Sequence, residues 1–202
     1  MKIIGITGGV GAGKSALLSY IEEHYSCRVI LADQAAHQVE QPGEVCYDEL
    51  VALLGSDICD EQGYIVKSKM ADRIFGNSTL LKKVNALIHP AVKKYILREI
   101  DAEKKRAEID YFFIEAALLI EERYDLICDE LWYIHADEEV RRKRLRDSRG
   151  YTDEKIDAIM EKQLSREEFE RHCAVVIDNS STLEAAIEQI DAALGGSRNG
   201  SR

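Results

Sequence analysis

Residues 3–7 (IIGIT) form a short apolar run that ends in glycines, the pattern of a buried strand. Just beyond it, Leu17, Leu18, Ile21 and Tyr25 recur at helical spacing. That periodicity predicts an amphipathic helix from residue 14 to about residue 25. Four further runs are almost entirely apolar: 28–31 (RVIL), 111–114 (YFFI), 131–134 (LWYI) and 174–177 (AVVI). Strands of this kind are covered on both faces, as in a parallel sheet. With helical stretches between them, the five strands predict an α/β sandwich of three layers, and right-handed crossovers limit its topology.

Two stretches are too long to be simple crossovers. The first lies between the second and third strands, is mostly helical in pattern, and is punctuated by Pro42-Gly43, Gly55 and a turn at 61–63. Within it, residues 80–88 read as a helix ending at His89-Pro90. Residues 91–108 read as a long charged helix with Val92, Ile96 and Ile100 on one face. The second excursion, 137–172, is nearly all charged and helical. The expected division is a core of 1–39, 106–136 and 173–194, an inserted helical subdomain at 40–105, and an excursion at 137–172. The closing segment 195–202 (GGSRNGSR) has no apolar residue and is expected to be disordered.

Charge narrows the function. The 202 residues carry a formal net charge of −10, with Asp+Glu 37 against Lys+Arg 27. Such an excess speaks against non-specific nucleic-acid or membrane partners. If the ligand is itself anionic, positive charge must be gathered locally. The five cysteines form no C-x-x-C pair and none sits near a histidine at metal-ligand spacing, so they read as reduced thiols. The apolar run at the start is too short for a signal peptide or a membrane span. A cytoplasmic protein is expected. The chain has neither heptads nor an unusual apolar stripe, so a monomer is expected.

The chemistry begins at Gly8. Residues 8–15 (GGVGAGKS) fit G-x-x-x-x-G-K-[ST] at every fixed position, between a strand and a helix as the motif requires. Glycines allow backbone N–H groups to reach phosphate oxygens, and the helix N-terminus adds its dipole. Gly9, Gly11, Ala12, Gly13, Lys14, Ser15 and Ala16 are therefore the candidate triphosphate-binding residues. Lys14 supplies a cation to the β- and γ-phosphates, and Ser15 offers its hydroxyl to Mg²⁺. The N-K-x-D base-reading motif of GTPases is absent, and YFFIE at 111–115 carries a single acid where motor ATPases carry two. Small-molecule kinases remain. Asp33, two residues beyond the second strand, is placed to act as a base or to hold a metal-bound water. It could equally cap the next helix. Arg141, Arg142, Lys143, Arg144, Arg146 and Arg149 supply the concentrated positive charge, either as phosphate ligands on a lid or as a solvated face paired with nearby acids. Arg142 and Arg146 are the candidate catalytic pair, and which arginine inserts stays open.

Taken together, these residues resemble the dephospho-CoA kinase family over nearly the whole chain. The resemblance rests on residues 4–15; on Val29-Ile30-Leu31-Ala32-Asp33 with Gln38-Val39 and Pro42-Gly43; on Leu87-Ile88-His89-Pro90-Ala91-Val92; and on Leu118-Leu119-Ile120-Glu121. Gln163 and the closing Ala174-Val175-Val176-Ile177-Asp178-Asn179-Ser180 complete it. It implies a P-loop kinase fold in which ATP, with Mg²⁺, phosphorylates the ribose 3′-hydroxyl of dephospho-CoA. It implies that Asp33 is the catalytic base, that the insert binds the acceptor, that 137–172 contains the lid, and that Asn179 lies against adenine. His89 belongs to the acceptor site on this reading, although His-Pro is also a helix stop signal. The chain departs from the family pattern at Leu31, where the family has Asp, at Ala117, where it has Pro, and at Lys67, where it has Arg. Lys67 keeps the charge of an expected acceptor contact. Glu115 is a further acceptor-site candidate, or a strand-end residue paired with a lid arginine.

Overall fold

A computed structural model describes residues 1–195 of the chain. In chain order the elements are β1 (Lys2–Thr7), α1 (Lys14–His24), β2 (Cys27–Leu31), α2 (Ala32–Val39), α3 (Tyr47–Leu54), α4 (Lys67–Ile74) and α5 (Ser78–Arg106). They continue with β3 (Tyr111–Glu115), β4 (Glu130–His135), α6 (Glu138–Arg149), α7 (Asp153–Met160), α8 (Arg166–His172), β5 (Val175–Asp178) and α9 (Leu183–Ala193). The chain divides into two compact units. One joins Met1–Val29 to the chain from Ala107 onward; the other is Ile30–Arg106. Gly195 lies in a turn after α9, and the rest of the expected disordered tail falls outside the described residues.

The first unit is built on a five-stranded sheet of order β2-β3-β1-β4-β5. β1 pairs in parallel with β3, from Lys2↔Tyr111 to Ile6↔Glu115, and with β4, from Ile4↔Glu130 to Thr7↔Tyr133. β4 pairs in parallel with β5, ending at His135↔Asp178. Position in this order explains the strand compositions. Ile4, Ile6, Phe112, Phe113, Ile114 and Trp132, on the three inner strands, are almost wholly buried. Each contributes about 1.5–3 kcal/mol of apolar burial. The edge strands β2 and β5 are only partly covered. The register brings Thr7, Glu115, His135 and Asp178 out at one edge of the sheet, where the loops carry function.

The second unit is helical, with α2, α3 and α4 packed along α5. Here the structure corrects the expected break at His89-Pro90. A single helix runs from Ser78 to Arg106 with Pro90 inside it. Pro90 has no N–H to give to the carbonyl of Ala86, and its ring crowds that turn, at a cost of about 3 kcal/mol. Val84, Ile88, Ala91, Val92, Ile96 and Ile100 nevertheless form one buried stripe in phase on both sides of the proline. Packing of that stripe holds the helix together where local propensity would end it. The unit also begins at Ile30, earlier than residue 40, because α2 packs on α5. Residues 137–172 remain in the first unit.

The turn expected at 61–63 is present: Asp60 Oδ1 accepts from the backbone N–H groups of Gln62 and Tyr64, each at 2.9 Å. All five cysteines are free. Burial pushes the thiols of Cys128 and Cys173 up to about 12 and, together with Glu22, that of Cys27 up to about 11. These three are thiols, not thiolates, at neutral pH. Among the described residues, no helix is long and apolar enough to cross a membrane.

Restoring the missing helix bond tests this account of α5. Pro90→Ala is expected to raise the unfolding free energy by about 1–3 kcal/mol, read from chemical denaturation midpoints. An unchanged or lower midpoint would show that the proline ring's own packing outweighs the bond it forfeits.

Candidate active site

The loop between β1 and α1 must leave the sheet edge and enter a helix within a few residues. Gly11 (φ 83) and Gly13 (φ 87) make this possible from the left-handed region, and Gly13 is the N-cap of α1. The turn is closed by Ala12 N–H donating to Gly9 O at 3.1 Å. With no capping side chain at Gly13, the first-turn N–H groups of α1 are left to a ligand. The glycines also admit neighbours. A Cβ on Gly9 would sit 2.4 Å from the guanidinium carbon of Arg141, and one on Gly13 would sit 2.4 Å from Asn179 Nδ2.

Three cations reach this loop. Lys14 Nζ donates to Gly8 O at 2.7 Å and lies 3.5 Å from Glu115 Oε1. Arg141 Nε donates to Val10 O at 3.0 Å, and its Nη2 bonds Gln163 Oε1. Arg144 donates to Ala12 O at 3.3 Å and to Asn179 O at 2.9 Å. Burial pulls the Arg141 pKa down, opposed by Tyr133 and Glu138. An arginine stays charged under such a shift, so a half-buried cation rests on neutral oxygens beside a phosphate-shaped loop.

The arginines singled out from the sequence lie elsewhere. Arg142 pairs with Glu138 at 2.7 Å and Asp157 at 2.5 Å, which raises its pKa, and Arg146 pairs with Asp153 at 2.8 Å. Helical phase explains the difference. Leu145 is the buried residue of α6; by helical phase Arg141 and Arg144 lie on one flank of it and Arg142 and Arg146 on the other. Residues 138, 142 and 146 form a separate i,i+4 row with acidic partners. Phasing the segment on Leu145 separates the two pairs but does not choose between them; only the contacts with the phosphate loop do.

Asn179 closes the site from β5. It is 3% exposed. Its backbone N–H donates to His135 O at 2.8 Å, and Nδ2 donates to Ala12 O at 2.8 Å. The Ala12 carbonyl fixes which end of the amide is which. Asn179 Oδ1 is then a buried acceptor with no hydrogen-bond partner, as is the Thr7 hydroxyl. A buried amide oxygen left in this state suits a ligand that brings an N–H. For a metal, Ser15 offers a hydroxyl from the exposed first turn of α1. No group of three or more His, Cys, Asp or Glu side chains among the described residues could hold one. That donor set fits Mg²⁺, which keeps waters and phosphate oxygens in preference to an all-protein cage.

The remaining candidates belong to the second unit, apart from Ala16, which is exposed on α1. Asp33 is exposed in the first turn of α2, and the N-cap there is Leu31. Its carboxylate therefore does not cap the helix, although it favours the helix dipole. Lys67 is the exposed first residue of α4. Burial raises the pKa of Glu40, opposed by the charges of His37 and Lys67. His89 lies half-buried in the middle of α5.

The chain is similar to known proteins over almost its whole length. A family model described as dephospho-CoA kinase matches residues 2–185. A dephospho-CoA kinase of Carboxydothermus hydrogenoformans is 33% identical over 190 residues, covering 94% of this chain and 91% of that protein. A crystal structure from Thermus thermophilus superposes with a TM-score of 0.79 at 25% identity, covering 96% of this chain and 97% of the other. The dephospho-CoA kinase of Campylobacter jejuni shares the fold, with a TM-score of 0.73 at 19% identity, and each chain is covered to 96%.

Gly13→Ala tests the close approach of Asn179. The variant is expected to lose about 1–3 kcal/mol of stability from the left-handed N-cap alone. It should also bind ATP at least about tenfold more weakly, since the new methyl displaces the Asn179 amide from Ala12. Calorimetric titration and denaturant unfolding measure the two effects separately.

Proposed function

The chain belongs to the dephospho-CoA kinase family, and on that premise we propose how its residues divide the transfer of a phosphoryl group. The reaction is ATP-dependent phosphorylation of dephospho-CoA to CoA, at the ribose 3′-hydroxyl. The observation that carries the assignment of roles is the convergence of Lys14, Arg141 and Arg144 on the carbonyls of Gly8, Val10 and Ala12. In an acidic protein, three cations are gathered on carbonyl oxygens around one glycine-rich loop, with Glu115 a further partner of Lys14. Phosphate oxygens are stronger acceptors than those carbonyls and take their place when ATP binds.

The loop N–H groups from Gly9 to Ala16 and the N-terminus of α1 hold the β- and γ-phosphates. Lys14 spans them, with Glu115 keeping its ammonium oriented. Arg141 and Arg144 stabilise the charge that spreads over the transferring group. The orphaned Asn179 Oδ1 accepts from the amino group of adenine, while its Nδ2 stays on Ala12. The Ser15 hydroxyl would hold Mg²⁺ when it arrives with ATP, and the ion would supply charge neutralisation on the triphosphate. Asp33 accepts the proton of the attacking hydroxyl; its support is its place at the carboxyl end of β2, free of a capping role. Lys67 and His89, from the helical unit, bind the acceptor, and Glu115 stands near the acceptor hydroxyl as well as Lys14. Arg142 and Arg146 hold the 137–172 segment together through their acidic partners. The reading extends to a monomeric cytoplasmic enzyme, supported by the lack of heptads in the sequence and by the five free cysteines.

Purified protein with Mg·ATP is expected to release ADP with dephospho-CoA and not with AMP, UMP, shikimate or gluconate; turnover with AMP alone would remove this acceptor. Asp33→Asn should lower kcat by about 10²- to 10⁴-fold with ATP affinity nearly unchanged. Arg141→Ala and Arg144→Ala should each cost about 10³-fold in kcat, far more than Arg142→Ala or Arg146→Ala. The reverse ranking would return the catalytic role to the latter pair.

A further inference from the structure

Gln163 lies in the short connection between α7 and α8, and its backbone is fixed on both sides. Its N–H donates to Met160 O at 3.1 Å, closing the turn behind α7. Just beyond it, Ser165 starts α8 with a capping box. Ser165 Oγ accepts from Glu168 N–H at 3.2 Å, and Glu168 Oε2 accepts from Ser165 N–H at 2.8 Å. From that held backbone the half-buried side chain reaches α6, where Oε1 accepts from Arg141 Nη2. A guanidinium only donates, so the amide oxygen is the end that faces Arg141.

Arg141 is thereby held from two sides. Nε donates to Val10 O at 3.0 Å on the phosphate loop, and Nη2 donates to Gln163. The guanidinium stands against Gly9, whose missing Cβ would come within 2.4 Å of it. The rest of its N–H fork is left for a ligand. The chemistry of the Gln163 contact is selective. Residues 161–168 read EKQLSREE, with acids at Glu161, Glu167 and Glu168. Glu161 is exposed, and Glu168 is committed to its capping box. The residue that meets Arg141 is the amide. The same limb uses carboxylates elsewhere, since Asp157 and Asp153 of α7 pair with Arg142 and Arg146. Acids attach α7 to α6, while a neutral oxygen meets the arginine beside the phosphate loop.

We propose that Gln163 is a positioning residue: it orients Arg141 for the phosphates of ATP, and its neutrality keeps that guanidinium available to them. The proposal rests on the kinase reading above and on the phosphate role given there to Arg141. A carboxylate at this position would bond the guanidinium more strongly than an amide does. It would also cancel the local positive charge and repel the triphosphate. An apolar side chain of similar length would leave a half-buried donor unpaired and free the guanidinium to turn away from Val10. The amide holds the direction without cancelling the charge. A glutamine that served only the architecture of the 137–172 segment would give way to glutamate with no loss of ATP binding, because the ion pair would strengthen the same contact.

The test compares Gln163→Glu and Gln163→Met with the native protein. It reads denaturation midpoints, the dissociation constant of a non-hydrolysable ATP analogue with Mg²⁺ by calorimetric titration, and kcat at saturating dephospho-CoA. Gln163→Glu is expected to keep or raise the midpoint while binding the analogue about tenfold more weakly. Gln163→Met is expected to lose about tenfold in kcat, with a smaller change in analogue affinity. Both losses should shrink to less than about twofold in an Arg141→Ala background, since the glutamine acts through that side chain. Analogue binding by Gln163→Glu as tight as that of the native protein overturns the proposal, and so does either loss at full size with Arg141 absent. If Gln163→Glu does not fold, Gln163→Met and its double-mutant cycle decide. Absence of turnover with dephospho-CoA in the native protein would instead remove the kinase reading, and the binding cycle would still judge Gln163.

Discussion

The structure depends on one requirement: a dense negative charge must be held by backbone N–H groups and a few cations in a chain whose own formal net charge is −10. Backbone can approach a phosphate only where no side chain intervenes. Gly9 and Gly13 provide that space, and it is already shared with Arg141 and Asn179. The central place of β1 between β3 and β4 serves the same end. The central strand delivers the loop to the sheet edge, and β4 and β5 bring α6 and Asn179 to it from one side.

The cations illustrate how such a site waits for its ligand. Placing Arg141 half-buried costs desolvation, which is why its pKa is pulled down. Hydrogen bonds to Val10 O and Gln163 Oε1 offset part of this without neutralising the charge. Acidic partners would hold the guanidinium more tightly but would compete with phosphate. Arg142 and Arg146 show that alternative on the same helix, where Glu138, Asp157 and Asp153 already satisfy them. The row with acids serves the segment's own architecture, and the row without them is left for an anion.

The helical unit obeys a different balance. Its long helix survives an internal proline because the buried stripe from Val84 to Ile100 is continuous across it. Local propensity is a weak determinant beside that much apolar contact. The same competition draws α2 onto α5, so the compact unit begins where β2 ends.

Much of this was legible in the chain itself. The five apolar runs gave five strands, because inner strands of a parallel sheet need apolar residues on both faces. The phosphate loop was legible because its chemistry needs particular residues in contiguous order, and contiguous order is what a sequence displays. The helix through Pro90 was not, since its continuity depends on partners distant in the chain. Nor was the choice among the α6 arginines: all lie within one helical stretch, and only the contacts with the phosphate loop distinguish them. The pairing of Asn179 with Ala12, and that of Gln163 with Arg141, join residues far apart or on separate elements. The sequence by itself therefore determined the fold class, the triphosphate loop and the family. The tertiary structure alone decided which cations face the loop and which polar atoms are left for a ligand, because hydrogen bonding and burial depend on directions in space that residue order does not encode.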